Sequence, residues 1–173
     1  EGLARNLDYL EKYVDAVVPA GTTGEAATLS YEEHIEVVRY VAEVSKVPVI
    51  GGAGSNSTRE AVYLAKEVEK AGADAAMLVT PYYNKPNPEG LYQHYKTVAS
   101  EVSIPVIAYN VPSRTACNLT PEVAEKLSQI DNIVGIKEAS GNLKQIAEII
   151  RRTPEDFVLL SGDDFLTLPI LLL

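Results

Sequence analysis

The chain is poor in cysteine, histidine and methionine, with one, two and one of them in 173 residues. A lone Cys117 cannot close an internal disulfide, which fits a reducing compartment and a cytoplasmic location. Long hydrophobic runs are missing too. The apolar stretches 75–79 and 168–173 fall far short of the ~20 residues that a membrane helix needs. Positive charge is in deficit, with 15 Lys and Arg against 24 Asp and Glu and a formal charge of −9. That argues against nucleic acid and anionic membranes as partners, because a phosphate surface demands a basic footprint. The acids are dispersed, as on a solvated surface. No basic–apolar–small leader opens the chain, so nothing marks it for secretion. No Pro/Gly/Ser-rich linker or low-complexity tract interrupts it, so residues 1–173 are expected to form one domain. Disorder is excluded by a hydrophobic content of 46%.

What the chain does contain is a regular alternation. Leu3, Leu7 and Leu10 recur at helical spacing, so 2–13 reads as an amphipathic helix. Ala16 to Ala20 is a short apolar run closed by Gly21, the pattern of a buried strand. Ser30 and Glu33 form a capping box that opens a helix with Ile35, Val38, Val41 and Val44 on one stripe. The unit then repeats, with strands expected at 47–50, 75–80, 105–109, 133–136 and 157–160. Helices are expected after Ser57, near Pro88, after Thr120-Pro121, over 142–152 and after Asp163-Asp164. The strands are continuous aliphatic runs, as in a parallel sheet covered by helices on both faces.

Two architectures fit such a series, a doubly wound open sheet and a (β/α)8 TIM barrel. Six strands are expected, with a helix ahead of the first. The chain starts without Met and ends in Leu-Pro-Ile-Leu-Leu-Leu with no helix stop. The expectation is therefore a partial barrel that lacks its first strand and its C-terminal unit or units.

In parallel α/β folds, ligands sit at the carboxyl ends of the strands. Those ends carry Gly21-Thr22-Thr23-Gly24-Glu25, Gly52-Ala53-Gly54-Ser55-Asn56, Thr80-Pro81-Tyr82-Tyr83, Tyr109-Asn110-Val111-Pro112-Ser113-Arg114-Thr115, Lys137-Glu138 and Ser161-Gly162-Asp163-Asp164. Lys137 closes an apolar strand. Inside a barrel mouth, desolvation lowers a lysine pKa and frees a neutral amine to attack a carbonyl, although a strand-end lysine is by itself most often solvated or ion-paired. Thr22 and Thr23 lie in a glycine-bounded turn whose hydroxyls and N–H groups suit a carboxylate or phosphate. Neither turn is a P-loop or a dinucleotide fingerprint, since Ser57 stands where the third glycine would be. Tyr83 and Tyr109 can relay protons or simply edge the core. Arg114 can hold a carboxylate bidentately or form a surface ion pair. Asp163 and Asp164 suit acid–base or metal chemistry, but a helix cap accounts for them more simply. His34 and His94 lie in expected helices with no ligand partner at metal spacing, so no metal site is expected. Cys117 and Met77 read as core.

Taken together, Gly21-Thr22-Thr23-Gly24-Glu25, Thr80-Pro81-Tyr82-Tyr83-Asn84-Lys85-Pro86, Tyr109 to Thr115 and Gly135-Ile136-Lys137-Glu138-Ala139 resemble the signatures of the dihydrodipicolinate synthase family of pyruvate-dependent class I aldolases, which are (β/α)8 barrels. The resemblance runs in order along essentially the whole chain. It implies that Lys137 forms a Schiff base with pyruvate, that Thr22 and Thr23 bind the pyruvate carboxylate, and that Tyr109, Thr22 and Tyr83 relay protons. It implies that Tyr83 reaches into a neighbouring subunit's site, that Arg114 binds the carboxylate of the second substrate, aspartate semialdehyde, and that Gly162 gives a backbone contact near pyruvate. It implies no metal or organic cofactor, and a homotetramer built as a dimer of dimers.

The family's lysine-feedback site resembles His34, Asn56, Glu60 and Tyr82 here. Ala26 and Tyr31 stand where inhibited members commonly carry Ser and His, which argues against tight feedback. Ala116 stands where a Gly usually follows Arg-Thr; a Gly there allows φ > 0, so the local loop geometry is expected to differ. Two other readings compete: a related aldolase acting on a sialic acid or a 2-keto-3-deoxy sugar acid, which would usually lack the arginine, and an inactive fragment of either. Exposed sheet edges and the apolar 168–173 segment lead to the expectation that isolated 1–173 is less soluble than an extended form.

Overall fold

The structure is a computed structural model and describes residues 2–173. In chain order the elements are α1 (Gly2–Leu10), α2 (Tyr31–Val44), β1 (Ile50–Gly52), α3 (Thr58–Lys70), β2 (Ala75–Val79), α4 (Pro88–Ala99) and β3 (Val106–Asn110). There follow α5 (Pro112–Thr115), α6 (Pro121–Leu127), β4 (Ile133–Glu138), α7 (Leu143–Arg152), β5 (Val158–Ser161) and α8 (Thr167–Leu171). Short 3-10 turns occupy Ala26–Thr28 and Asp164–Leu166.

The helices start where side chains can satisfy the free N–H groups of a first turn. Both bonds of the Ser30–Glu33 capping box are made. Ser57, Asn87 and Asn142 accept from the N–H groups of Glu60, Gly90 and Gln145. Thr120 makes no side-chain cap; there Pro121 at the first position does the work by presetting φ. Gly72, at φ 94, takes the left-handed turn after α3.

All strands are parallel, and their spatial order β1-β2-β3-β4-β5 is their chain order. That order has no switch point, where a doubly wound sheet would reverse direction. Of the two expected architectures, the barrel series is therefore the one formed. Among the described residues five strands form, not six. The 16–20 run makes a single parallel bridge, Val17 to Val49. Val17 donates to the Pro48 carbonyl, the Val17 carbonyl accepts from Ile50, and the Pro19 carbonyl accepts from Gly52. The next rung would need an N–H at position 19, and proline has none, so the ladder stops after one bridge. The first helix also ends at Leu10 instead of residue 13.

Strand alternation splits the core in two. Ala76, Leu78, Val106, Ala108 and Ile136 pack outward against the helices in the larger cluster, with Val38, Leu64, Val68 and Tyr95. Met77, Ile107, Tyr109 and Val111 form a smaller cluster on the inner face. Met77 and Cys117 are both buried, as expected. In the outer layer α3 and α4 meet at His94, whose Nδ1 shares a hydrogen bond of 2.9 Å with the Thr58 hydroxyl while its buried Nε2 has no partner among the described residues. Burial pulls the His94 pKa down to about 4.

This predicts acid lability of a definite sign. The unfolded chain takes up the His94 proton first, near pH 6.5, so stability present above that value is lost as pH falls toward 4. Chemical denaturation at pH 7 and pH 4.5 is expected to show about 2.5 kcal/mol of loss from this group. In His94→Leu the pH-dependent loss should shrink by that amount, whatever the variant's absolute stability.

Candidate active site

The pleat decides which strand-end residues meet. Tyr109 of β3 pairs in register with Lys137 of β4, so their side chains leave the sheet on the same, inner face. The Lys137 Nζ lies 4.5 Å from the centre of the Tyr109 ring. Burial pushes the Lys137 amine below the usual lysine range, and the Asp164 carboxylate partly opposes it. Burial also raises the Tyr109 phenol, while the Arg114 guanidinium and the Thr22 hydroxyl pull it back. Each shift favours the neutral form, so the pair holds an uncharged amine over an uncharged phenol more readily than water would.

A cavity of about 440 Å³ opens over this pair. Thr22, Thr23, Tyr109, Arg114, Lys137 and Gly162 all line it, together with Ser161 and Asp164. Its far wall requires a glycine. A Cβ at position 162 would lie 2.9 Å from the Ala139 Cβ and 3.2 Å from the Lys137 Cε. The Gly162 N–H donates to the Glu138 carbonyl at 2.8 Å, which ties β5 to the lysine strand. Asp163 is committed locally, its carboxylate accepting from the Phe165 N–H at 3.0 Å as the cap of the 3-10 turn.

Arg114 reaches the mouth from α5. A buried knot holds this helix: Thr80 donates to the Thr115 hydroxyl, and the Thr115 oxygen is within 3.2 Å of the Val111 and Cys117 main chain. Ala116 closes the helix in the left-handed conformation at φ 55, its N–H donating to Pro112. The position does take the backbone form that a glycine supplies most easily. Left-handed alanine is strained by about 1 kcal/mol or more, and glycine regains part of that against a freer unfolded chain. Ala116→Gly should thus raise stability by about 0.5 kcal/mol in urea unfolding. A destabilised variant would contradict this. Ala20, Glu25, Tyr83 and Lys85 also have positive φ. Backbone strain is thus concentrated in the loops of the strand carboxyl ends, as it often is around working sites.

Tyr83 lines neither this cavity nor the adjoining one and is 89% exposed. The adjoining cavity, about 810 Å³, is lined by Tyr31, His34, Glu60 and Tyr82, but not by Asn56. His34 Nε2 donates to the Gly52 carbonyl at 2.6 Å, and Glu60 accepts from the Ser55 hydroxyl at 2.9 Å. The Glu60 carboxylate also raises the Tyr31 phenol. Asn56 donates instead to the Tyr82 carbonyl. Among the described residues no group of three or more His, Cys, Asp and Glu side chains is placed to hold a metal ion, and no helix is long and apolar enough to cross a membrane.

An inner-face lysine paired with a tyrosine, under threonines and an arginine at the carboxyl ends of a sequentially ordered parallel sheet, is a specific arrangement. It coincides with a family model, the dihydrodipicolinate synthetase family, that matches residues 1–173. The chain belongs to this family. It is 83% identical over 173 residues, all of this chain and 60% of the relative, to the 4-hydroxy-tetrahydrodipicolinate synthase of Archaeoglobus fulgidus. Among solved structures it matches the chloride-inhibited dihydrodipicolinate synthase of Acinetobacter baumannii complexed with pyruvate, with a TM-score of 0.95 and 46% identity over 98% of this chain and 60% of that one. It also matches a monomeric dihydrodipicolinate synthase variant, with a TM-score of 0.93 and 42% identity over 99% of this chain and 58% of that one. The chain thus spans about 60% of the length of these synthase relatives, as a partial barrel.

Reasoning from the sequence picked out Lys137, Tyr109, Thr22, Thr23, Arg114 and Gly162, and the fold gathers all six around one cavity. It passed over Asn110 and Glu138. Their signal was present in period 2: one step beyond a strand's inward-facing tyrosine or lysine, a polar group must face the helices.

Proposed function

We propose that the protein containing this chain is a lyase that condenses pyruvate with L-aspartate 4-semialdehyde to give 4-hydroxy-tetrahydrodipicolinate, in the lysine and diaminopimelate route of the cytoplasm. The observation that carries the reading is the half-buried Lys137 amine over the Tyr109 ring, in a cavity rimmed by Thr22, Thr23 and Arg114.

The neutral Lys137 amine attacks the pyruvate ketone, and loss of water leaves an iminium. The iminium draws electrons from the adjacent methyl, which gives up a proton and becomes an enamine. The enamine carbon attacks the aldehyde of the second substrate, forming the new C–C bond, and the alkoxide takes up a proton. Cyclisation and hydrolysis free the lysine. Because the iminium is itself the electron sink, the reaction asks for no metal or organic cofactor. Thr22 and Thr23 hold the pyruvate carboxylate, Gly162 offers a backbone contact beside it, and Arg114 receives the carboxylate of the semialdehyde. Tyr109 and Thr22 carry protons to and from the site.

Tyr83, exposed on this chain, completes the relay in a neighbouring subunit of a homotetramer. The mass of the full-length protein in solution tests this assembly, and a monomer would contradict it. His34, Asn56, Glu60 and Tyr82 belong to a lysine site that binds weakly. Here His34 and Glu60 are already engaged by Gly52 and Ser55, and Ala26 and Tyr31 flank them.

The decisive experiment is to incubate the full-length protein with pyruvate, reduce with borohydride and digest for mass spectrometry. A pyruvyl mass on the Lys137 peptide is expected; its absence from folded protein overturns the reading. Turnover of a sugar acid in place of the semialdehyde would transfer the site to a related aldolase.

A further inference from the structure

The residues that follow Tyr109 and Lys137 carry a second arrangement, on the other side of the sheet. Asn110 and Glu138 are in register across β3 and β4, and the pleat turns both toward the helices. Both are fully buried. Glu138 makes no ion pair among the described residues. It is held by neutral donors alone. The Asn110 Nδ2 lies 3.2 Å from each of its oxygens. The Ser140 N–H donates to Oε1 at 2.7 Å and the Gln145 Nε2 to Oε2 at 3.1 Å.

A buried acid costs free energy unless every oxygen is satisfied. Each neighbour presents a donor, so only a group offering acceptors alone fits the position. The network and the main-chain bonds beside it join five segments. Asn110 Oδ1 accepts from the Leu119 N–H at 2.9 Å, and its Nδ2 donates to Asn118 at 3.0 Å. Asn118 and Gln145 exchange bonds of 2.8 and 3.1 Å. Main-chain bonds continue the tie, from Ala139 to the Asn110 carbonyl and from Gly162 to the Glu138 carbonyl. The loop before α6, the first turn of α7 and the ends of β3, β4 and β5 are thus fastened at one point. That point is one residue from the reactive amine on one strand and one residue from its tyrosine on the other.

We propose that Asn110, Glu138 and Gln145 are positioning residues, a clamp behind the sheet that sets the register and height of Lys137 over Tyr109 for imine formation. The proposal rests on the enzyme reading above. A clamp of this kind acts on geometry, and displacement of a reacting group by an ångström lowers rates by as much as about 100-fold.

Two variants of the full-length protein test it. Glu138→Gln keeps the size but sets an amide donor against the donors of Asn110, Ser140 or Gln145. Gln145→Leu removes only the helix-side support, from a partly exposed position, and decides the matter if Glu138→Gln does not fold. The limiting rate of borohydride-trapped adduct at saturating pyruvate should fall about 10- to 100-fold in Glu138→Gln and about 3- to 10-fold in Gln145→Leu, with little change in half-saturating pyruvate. A second readout needs no substrate. The pH midpoint for modification of Lys137 by an amine reagent, followed on its peptide by mass, should rise toward that of an exposed lysine as water reaches it. Folded variants with a wild-type limiting rate and an unmoved midpoint would overturn the clamp, even if their melting temperatures fell. If wild-type protein forms no adduct, the enzyme reading fails, and the modification midpoint still decides the clamp by itself.

Discussion

Lys137→Arg in the full-length protein is expected to abolish the pyruvyl adduct and to lower kcat by about 10³-fold or more. Arginine keeps the positive charge and much of the length of lysine. It has no neutral form at working pH, so it has no lone pair to give to a ketone. The loss should be in chemistry and not in folding, because Lys137 is only partly buried and among the described residues makes no ion pair that holds the sheet together. Circular dichroism and thermal melting should be close to wild type. Retention of the adduct on some other lysine, or turnover within tenfold of wild type, would show that the amine over Tyr109 is not the nucleophile.

The second large effect is expected at Arg114, and it has a different signature. Arg114→Ala should leave pyruvate adduct formation nearly unchanged while raising KM for aspartate semialdehyde about 10- to 100-fold. That range is the value of one or two charge-assisted hydrogen bonds to a carboxylate. The separation follows from geometry. Arg114 stands on α5 at the rim of the cavity, whereas the amine lies on a strand at its floor. Steady-state kinetics with each substrate varied in turn, beside the borohydride trap, would check it. Equal losses in both steps would mean that Arg114 acts on the floor of the site, through its field on Tyr109. An unchanged KM would favour a sugar-acid substrate.

The sequence was easiest to read where local chemistry and burial agree. Ser30-Tyr31-Glu32-Glu33 can scarcely start anything but a helix, and both cap bonds are present. The aliphatic runs over 75–79 and 133–136 can scarcely be anything but covered strands. It was misleading at 16–20, where the apolar run is genuine but Pro19 removes the N–H that a second rung requires. Period 2 gives the face on which Asn110 and Glu138 lie but not their contact, because no local rule says that two polar residues 28 positions apart will share a buried bond. Tyr83 is a third kind of case: the motif marks it, yet in this chain it is exposed and does not line the cavity.

The sequence by itself determined which residues are candidates for the reactive groups, the alternation of strands and helices, and the residues that cap them, all of which depend on neighbours a few positions away. Only the tertiary structure decided that the sheet runs in unbroken sequential order, as in a barrel. It alone set Lys137 and Tyr109 on one face with Asn110 and Glu138 behind them. The reason is register: a shift of one residue between β3 and β4 would keep every local preference and exchange the two faces, and only the packing of the whole sheet forbids it.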